Sequence, residues 1–397
     1  MSSPDRRLCQ ELVFGVVRWQ ATLDWLVARK TNNRVQKAVL QDLLRLGLYQ
    51  IFWLDRIPSH AAVHQTVELA KRRGLGPQAG FVNALLRGYI RELEPTRQLL
   101  EELKRTQPHL GFSHPEWLVE RWLKRWGREL TAKWLAWNNT PPKVFARVNT
   151  LKTNAERLLP EWRDENVEYD FVRADWLEEA VAFELKQHPS LESLPSFQQG
   201  KFYVQDPSTL LAVRELAPKP GEALLDLCAA PGGKFTYAAQ LMNNEGRMVA
   251  HDTAAERLKL IQENCARLGV TGAEIVSSDQ LKTSAHMRNF DRILVDAPCS
   301  NTGVLRRRVD LRWRIRPEEI KRLAQAQGSL LAQAAQLLKP GGTLVYSTCS
   351  LEKEENQEVV AQFLKQHPTF GLERERELRP FEEGFDGAYV AKLSSKR

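Results

Sequence analysis

The chain has few cysteines and no long apolar run. Five cysteines are scattered through 397 residues, an odd number without paired short spacings, which argues against a disulfide framework and a four-ligand zinc site. No stretch approaches the roughly 18 uninterrupted apolar residues of a membrane-spanning helix, and the start "MSSPDRRLCQELVFG" lacks the charged-then-apolar order of a signal peptide. We therefore expect a cytoplasmic protein with no metal site and no membrane partner.

Positive charge is in modest excess. The 57 lysines and arginines against 49 aspartates and glutamates give a formal net charge of +8. An excess of this sign favours a polyanionic partner such as nucleic acid, although its size alone is weak support. The apolar fraction of 43% is enough to fill the two or three domains expected at this length.

The pattern of apolar residues divides the chain into three parts. Helical spacing runs through residues 1–138 and ends at the proline-bearing "NNTPP", which cannot continue a helix. Residues 139–205 mix short strands with one helix and predict a small α+β connector. In residues 206–397, five strand patterns alternate with helical ones, so this part predicts a doubly wound parallel sheet. These strands are "EALLDL", "RMVAHD", "AEIVSSD", "FDRILVD" and "GTLVYSTC".

A glycine-containing turn follows the first of these strands, in "LLDLCAAPGGKFTYAAQL". Asp252 stands about 20 residues beyond Gly232, the spacing at which a carboxylate accepts hydrogen bonds from ribose hydroxyls. The turn is not a Walker loop, because Phe235 replaces the magnesium-binding hydroxyl. A ligand with adenosine and no phosphate fits better, which predicts S-adenosyl-L-methionine.

Four aspartates stand at the predicted strand ends. Because ligands of such sheets bind at the carboxyl ends of the strands, we expect these carboxylates to converge. Asp279, read as the end of the third strand, could bind an adenine edge. The four are Asp226, Asp252, Asp279 and Asp296.

Two cysteines follow the fourth and fifth strands, which are neighbours in sheets of this kind, ~4.8 Å apart. Cys299 and Cys349 could therefore face one substrate. Carbon 5 of cytosine is a poor nucleophile, but a thiolate that adds to carbon 6 makes it reactive toward a methyl donor. The second cysteine could assist release, and Asp296 could hydrogen-bond to ring nitrogen 3.

Three motifs, "DLCAAPGGK", "VDAPCSNTG" and "YSTCSLEKEEN", resemble those of RNA 5-methylcytosine methyltransferases of the NOL1/NOP2/Sun family. The helical text "LRLGLYQIFWLDRIPSHAAVHQTVELAKRRG" further resembles the NusB fold. The likeness covers almost the whole chain. It implies a NusB-like all-α domain, the connector, and a Rossmann-like class I methyltransferase domain at the C-terminus.

The resemblance also implies roles for individual residues. Cys349 would be the nucleophile, Cys299 the release cysteine and Asp296 their catalytic partner, while Asn301 stands where relatives often have glycine. The RNA substrate would be small-subunit (16S) ribosomal RNA, bound by a monomer. The cofactor site would consist of Cys228, Ala229, Ala230, Pro231, Gly232, Gly233, Lys234, Asp252, Asp279 and Asp296.

An arginine run follows the first cysteine motif, and its position predicts phosphate contacts to RNA. It comprises Arg306, Arg307, Arg308, Arg312, Arg314 and Arg316. Two other interpretations stay open: a non-catalytic RNA-binding or transcription-coupled scaffold with an inert methyltransferase fold, and a methyltransferase that acts on DNA or on another base.

Overall fold

The computed structural model describes residues 3–281 and 289–396, and they belong to two compact units. The first consists of Met1–Pro141 with Leu305–Arg314, and the second of Pro142–Val304 with Ile315–Arg397. The finer division into domains at residues 138 and 205 stays a prediction.

The first unit is helical, as its sequence predicts. Its core contains Leu44, Leu48 and Leu86, all fully buried, and Gly47 lets two helices approach, since a Cβ there would lie 2.7 Å from Leu86. The helices before residue 141 are α1 (Ser3–Arg18), α2 (Gln20–Lys30), α3 (Ala38–Trp53), α4 (Ser59–Arg72), α5 (Ala79–Arg91), α6 (Leu93–Thr106), α7 (Pro108–Gly111) and α8 (Glu116–Asn138).

The second unit begins with a small antiparallel sheet of strand order β2-β3-β1-β4. Trp162 packs its ring edge-to-face on Phe183 and Phe202, at centroid distances of 5.6 and 5.3 Å, and fixes the one long helix to the sheet. The elements are β1 (Val144–Val148), α9 (Ala155–Asp164), β2 (Glu168–Phe171), β3 (Ala182–Gln187), α10 (Pro195–Gln198) and β4 (Phe202–Val204).

A seven-stranded sheet of order β10-β11-β9-β8-β5-β6-β7 forms the larger part of this unit. The five predicted strands are parallel, and the last two strands of the chain extend the sheet antiparallel. The elements are α11 (Ser208–Leu216), β5 (Ala223–Asp226), α12 (Gly233–Leu241), β6 (Arg247–His251), α13 (Ala255–Leu268), β7 (Ala273–Val276), α14 (Ser278–Leu281), β8 (Phe290–Asp296), α16 (Pro317–Leu337), β9 (Leu338–Thr348), α17 (Gln357–Gln366), β10 (Phe370–Leu378), α18 (Pro380–Glu383) and β11 (Ala388–Ser395). The short helix α15 (Leu311–Arg314) follows β8 in the chain but belongs to the first unit.

The central strands are buried on both faces, which explains their unbroken apolar sequences. In β9, Val345 belongs to the core on one side of the sheet, and Leu344 and Tyr346 belong to the core on the other. Since β5, β6, β8 and β9 run parallel, their carboxyl ends meet along one edge of the sheet.

The arginine run is partly a structural element of the first unit. Arg312 is fully buried there and donates hydrogen bonds to Ser113 O (3.1 Å), Asn138 O (3.0 Å) and Asn139 Oδ1 (2.9 Å). Arg306 is 1% exposed, and its guanidinium lies 4.2 Å from the centre of the Trp137 ring. The prediction of phosphate contacts is therefore wrong for these two arginines, because neither side chain reaches solvent.

Candidate active site

The carboxyl ends of β8 and β9 lie side by side, with Asp296 and Ser347 paired in register. Each strand is followed within a few residues by one of the predicted cysteines. The sulfurs of Cys299 and Cys349 are 3.3 Å apart. The structure thus brings together two residues that are 50 positions apart in the chain, as the neighbouring strands predict.

The two cysteines have different surroundings. Cys349 is half-buried and lines a small cavity of about 40 Å³ together with Lys234 and Asp296. Cys299 is only 8% exposed. Its hydrogen bond with Cys349, followed by burial, raises the pKa of the Cys299 thiol well above its usual value. Of the pair, Cys349 is the one that faces open space.

Asn301 links the two cysteine loops. Its side-chain oxygen accepts a hydrogen bond from the Cys349 thiol (3.1 Å), and its amide nitrogen donates to the backbone oxygen of Cys299 (2.6 Å). The residue has φ = 57°, a left-handed conformation that glycine adopts freely and that asparagine tolerates better than most other residues. Asn301 therefore adopts a turn that glycine would also allow, and its side chain lies beside the Cys349 sulfur.

Asp296 is held by two hydrogen bonds. Lys234 Nζ lies 2.5 Å from Asp296 Oδ2, and the hydroxyl of Ser347 donates to Asp296 Oδ1 at 2.8 Å. Burial lowers the pKa of Lys234, but the charge of Asp296, its hydrogen bond and the nearby Cys349 and Asp226 together leave that pKa raised above its usual value. Lys234 was predicted in the cofactor turn, and the structure places its ammonium group in the cavity beside Cys349.

The predicted cofactor turn connects β5 to α12. Gly232 has φ = 104°, a conformation that requires glycine. The amide nitrogen of Ala230 donates to Asp252 Oδ2 at 3.3 Å, and Asp252 is 3% exposed just after the end of β6. Burial, followed by nearby Asp226, raises the pKa of the Cys228 thiol far above its usual value. Cys228 is therefore an unreactive thiol at neutral pH.

Asp226, at the end of β5, has a buried carboxylate with an unsatisfied oxygen. Burial, and next the charge of Asp296, raise the pKa of Asp226 to about 8. Within residues 3–281 and 289–396, its Oδ2 has no hydrogen-bond partner. A buried acceptor without a partner in the protein can accept a hydrogen bond from water or contact an ion or a cationic group of a ligand. This orphan oxygen fits a ligand such as S-adenosyl-L-methionine, which carries an ammonium and a sulfonium group.

Asp279 does not end a strand. β7 ends at Val276, and Gln280 Oε1 accepts a hydrogen bond from the backbone nitrogen of Ser277 (2.8 Å), which turns the chain into α14. Asp279 lies in the first turn of that helix and is exposed. The strand-end interpretation of this residue was wrong, and its role in a cofactor site stays a prediction.

Two buried charged residues at this site have no signal in the sequence. Arg147, in β1, donates to the backbone oxygen of Gly233 (2.7 Å) and to Thr236 Oγ1 (3.0 Å), so it supports the start of α12. Glu355 contacts both cysteine loops. Charged residues in a strand or a loop are usually read as surface, and only the tertiary structure shows these two buried.

No helix in the part of the chain that the structure describes has the length and apolarity needed to cross a membrane. In the same residues, no group of three or more histidine, cysteine, aspartate or glutamate side chains is arranged to hold a metal ion.

Comparison with protein families matches all three parts of the chain. Residues 213–394 match the model of 16S rRNA methyltransferase RsmB/F, residues 1–91 match the NusB family, and residues 114–188 match the ferredoxin-like domain of RsmF/B-like methyltransferases. The predicted NusB-like helical domain, α+β connector and C-terminal methyltransferase domain are thereby confirmed.

Individual relatives match the full chain. The probable ribosomal RNA small subunit methyltransferase B of Bacillus subtilis is 39% identical, over 100% of this chain and 92% of its own length. Among solved structures, a methyltransferase homolog from Pyrococcus horikoshii has a TM-score of 0.64 at 31% identity and covers 75% of this chain and 99% of its own. NSun6 from the same organism, solved with SFG, has a TM-score of 0.62 at 25% identity, over 71% of this chain and 98% of its own. The chain therefore belongs to the RsmB/F family of ribosomal RNA methyltransferases, with a helical NusB domain, a ferredoxin-like domain and a methyltransferase domain whose strand ends bring two cysteines together.

Proposed function

We propose that the protein uses S-adenosyl-L-methionine to methylate carbon 5 of a cytosine in 16S ribosomal RNA, through a covalent adduct with Cys349. The observation that carries this proposal is the 3.3 Å separation of the Cys299 and Cys349 sulfurs beside the Lys234–Asp296 pair. The name of the Bacillus subtilis relative supports a small-subunit ribosomal RNA substrate. Such a substrate places the reaction in the cytoplasm, and we propose that a monomer carries it out.

The cofactor would be held by the turn of residues 228–234 and by Asp252. The carboxylate of Asp226 would contact a cationic group of the cofactor, and Asp279 would lie near its adenine. The SFG in the NSun6 structure is an analogue of S-adenosyl-L-methionine, which supports this choice. When bound, the cofactor supplies the methyl group. Asp252 would accept hydrogen bonds from the ribose hydroxyls, and the left-handed Gly232 lets the backbone approach the ligand.

Cys349 is the better nucleophile of the two cysteines because it lines the cavity while Cys299 is buried. Its thiolate adds to carbon 6 of cytosine, and the electron pair of the ring then makes carbon 5 reactive toward the methyl group. Water takes the proton from carbon 5, and the bond between carbon 6 and sulfur breaks. Cys299, a thiol 3.3 Å away, donates a proton to the departing sulfur of Cys349.

Asp296 and Lys234 would bind the polar edge of the base. Asp296 accepts a hydrogen bond from the amino group of cytosine or shares a proton with ring nitrogen 3. The ammonium group of Lys234 offsets the negative charge that thiolate addition places on the ring. Because Ser347 and Lys234 already hold the carboxylate, little reorganisation is needed when the charge develops.

Substitution of the two cysteines tests the proposal. Cys349→Ala is expected to abolish methyl transfer, because no other thiol faces the cavity. Cys299→Ala is expected to trap the protein on RNA as a denaturant-resistant adduct, visible as a band shift on a denaturing gel. Cys9→Ala is the matched control, since Cys9 is exposed on α1. Normal turnover by both site variants would refute the two-cysteine mechanism.

Bisulfite sequencing of ribosomal RNA from deletion cells separates this function from the alternatives. Loss of one protected cytosine from 16S rRNA supports the enzyme. An intact 5-methylcytosine pattern with a ribosome assembly or termination defect would instead support the RNA-binding scaffold, and loss of methylation from DNA would support the third interpretation.

A further inference from the structure

Glu355 is a buried carboxylate between the two cysteine loops. It ends the short 3₁₀ helix Lys353–Glu355, and none of its side-chain surface is exposed. In the part of the chain that the structure describes, no lysine or arginine forms an ion pair with it. A buried charge without a counter-ion is costly and persists only when hydrogen bonds satisfy it.

The hydrogen bonds come from the residues that directly follow the two cysteines. The backbone nitrogen of Ser300 donates to Glu355 Oε1 at 2.8 Å, and the Ser300 hydroxyl donates to Oε2. The hydroxyl of Ser350 donates to Oε2 at 2.6 Å. Gln327, from α16, donates to Oε1 at 3.1 Å and also to the backbone oxygen of Pro298 at 2.9 Å. One carboxylate therefore joins the loop of Cys299 to the loop of Cys349.

The backbone around Glu355 strengthens the junction. The hydroxyl of Tyr346, in β9, donates to the backbone oxygen of Glu355 at 2.5 Å. The neighbouring Asn356 accepts a hydrogen bond from Thr348 Oγ1 (2.6 Å) and donates to the backbone oxygen of Ser350 (2.9 Å). The carboxylate is thus fixed to the strand from which Cys349 extends, and it cannot move without moving that loop.

We propose that Glu355 is a positioning residue that sets the separation of the Cys299 and Cys349 sulfurs and holds a negative charge beside the Cys299 loop. The catalytic role of the two cysteines rests on the proposed function, whereas the hydrogen bonds of Glu355 to their loops do not. Without Glu355, Ser300 and Ser350 would lose their common acceptor. Among the described residues, the hydrogen bonds that still join the two loops include those of Asn301 with Cys349, of Gly303 N with Cys349 O, of Thr302 with Ser350, and of the Ser300 hydroxyl with the Ser350 hydroxyl.

The charge of Glu355 acts on Cys299. After the hydrogen bond with Cys349, burial and the charge of Cys349, the negative charge of Glu355 is a further cause that raises the pKa of Cys299. Burial raises the pKa of Glu355 itself, and the hydrogen bonds from Ser300 and Ser350 oppose that rise. A thiol held in its protonated form is the form needed to donate to a departing sulfur.

Alkylation of the RNA-free protein measures this role independently of catalysis. Glu355→Gln keeps an acceptor for the Ser300 amide but removes the charge, whereas Glu355→Ala removes both. We expect a small thiol reagent at pH 8 to label Cys299 faster in Glu355→Gln than in wild type, because removal of the negative charge favours the thiolate. Glu358→Gln, an exposed carboxylate on α17, is the control and should label like wild type.

Steady-state kinetics measure the positioning. Because Glu355 is buried and would not touch RNA, we expect Glu355→Ala to lower kcat at least tenfold with little change in KM, to accumulate the covalent adduct, and to be partly rescued by glutamine. Unchanged Cys299 labelling and kcat in both variants would refute the proposal. If neither variant folds, Ser300→Ala and Ser350→Ala take their place. Each should speed the labelling of Cys299 and lower kcat, and the absence of both changes would refute the proposal as well.

The two proposals can fail separately. If wild type labels as expected, and Glu355→Gln changes that labelling, but neither protein methylates RNA, the positioning role stands and the proposed function is wrong. If wild type methylates RNA and no Glu355 variant differs from it, the proposed function stands and the positioning role is wrong.

Discussion

Gly303 offers a steric test of how finely the Cys349 loop is placed. A Cβ added at this residue would lie 2.7 Å from the backbone oxygen of Cys349 and 2.8 Å from that of Gly387. Both neighbours are backbone atoms, and both are tied to Gly303 by hydrogen bonds, from Gly303 N to Cys349 O and from Gly387 N to Gly303 O, each 2.9 Å long. Gly303→Ala therefore has to displace the loop by about 0.7 Å to reach ordinary contact distance.

The magnitude follows from the displacement. A misplacement of 1 Å in a reacting group costs on the order of 10²-fold in rate, so about 0.7 Å should lower kcat by about 25-fold. Overpacking of this kind also costs about 2 kcal/mol of stability. KM should change little, because the alanine methyl group points at backbone rather than into the cavity.

Single-turnover transfer of a labelled methyl group, followed alongside urea unfolding, separates the two effects. Gly328→Ala is the matched control: nothing lies within 4 Å of its Cβ position in α16, and alanine should stabilise the helix by about 0.5–1 kcal/mol. A folded Gly303→Ala protein with a rate within about twofold of wild type would show that the loop tolerates displacement, and the steric argument would be wrong.

Two further predictions concern buried charge. The pKa of Asp226 is about 8 in the folded protein, whereas the unfolded chain releases this proton near pH 4. The stability of the ligand-free protein should therefore fall as the pH rises from about 4 to about 8. Asp226→Asn should lose less of its urea midpoint over this pH range than wild type, and an equal dependence of the midpoint on pH in the two proteins would contradict the burial argument. Arg312→Met leaves Ser113 O, Asn138 O and Asn139 Oδ1 without their donor and should cost about 3 kcal/mol in urea unfolding, whereas a loss below about 1 kcal/mol would mean that water replaces the guanidinium.

The sequence predicts this site well where the chemistry depends on strand order. Parallel strands in a doubly wound sheet have few arrangements, so two cysteines after the fourth and fifth strands had to lie near each other. The structure confirms that they are neighbours, with their sulfurs 3.3 Å apart. The glycine turn and Asp252 were predictable for the same reason.

The sequence predicts buried charge poorly. Arg312 and Arg306 were read as phosphate contacts because the arginine run directly follows the first cysteine motif, and only the packing of Leu305–Arg314 in the first unit shows otherwise. Glu355 stands in an acidic stretch with no periodicity. Its partners Ser300 and Gln327 come from other segments of the chain, so no local pattern could identify it.

The segment Leu305–Arg314 has a consequence for how the protein is made. The first unit is not complete at residue 141, since it takes in ten residues that the ribosome adds more than 160 positions later. During synthesis, the backbone oxygens of Ser113 and Asn138 have no hydrogen bond from the Arg312 guanidinium until the chain has been translated past the first cysteine motif. A fragment cut at the apparent end of the helical region would lack this buried piece, so expression of the helical unit alone calls for the segment to be supplied as a second chain or joined by a linker.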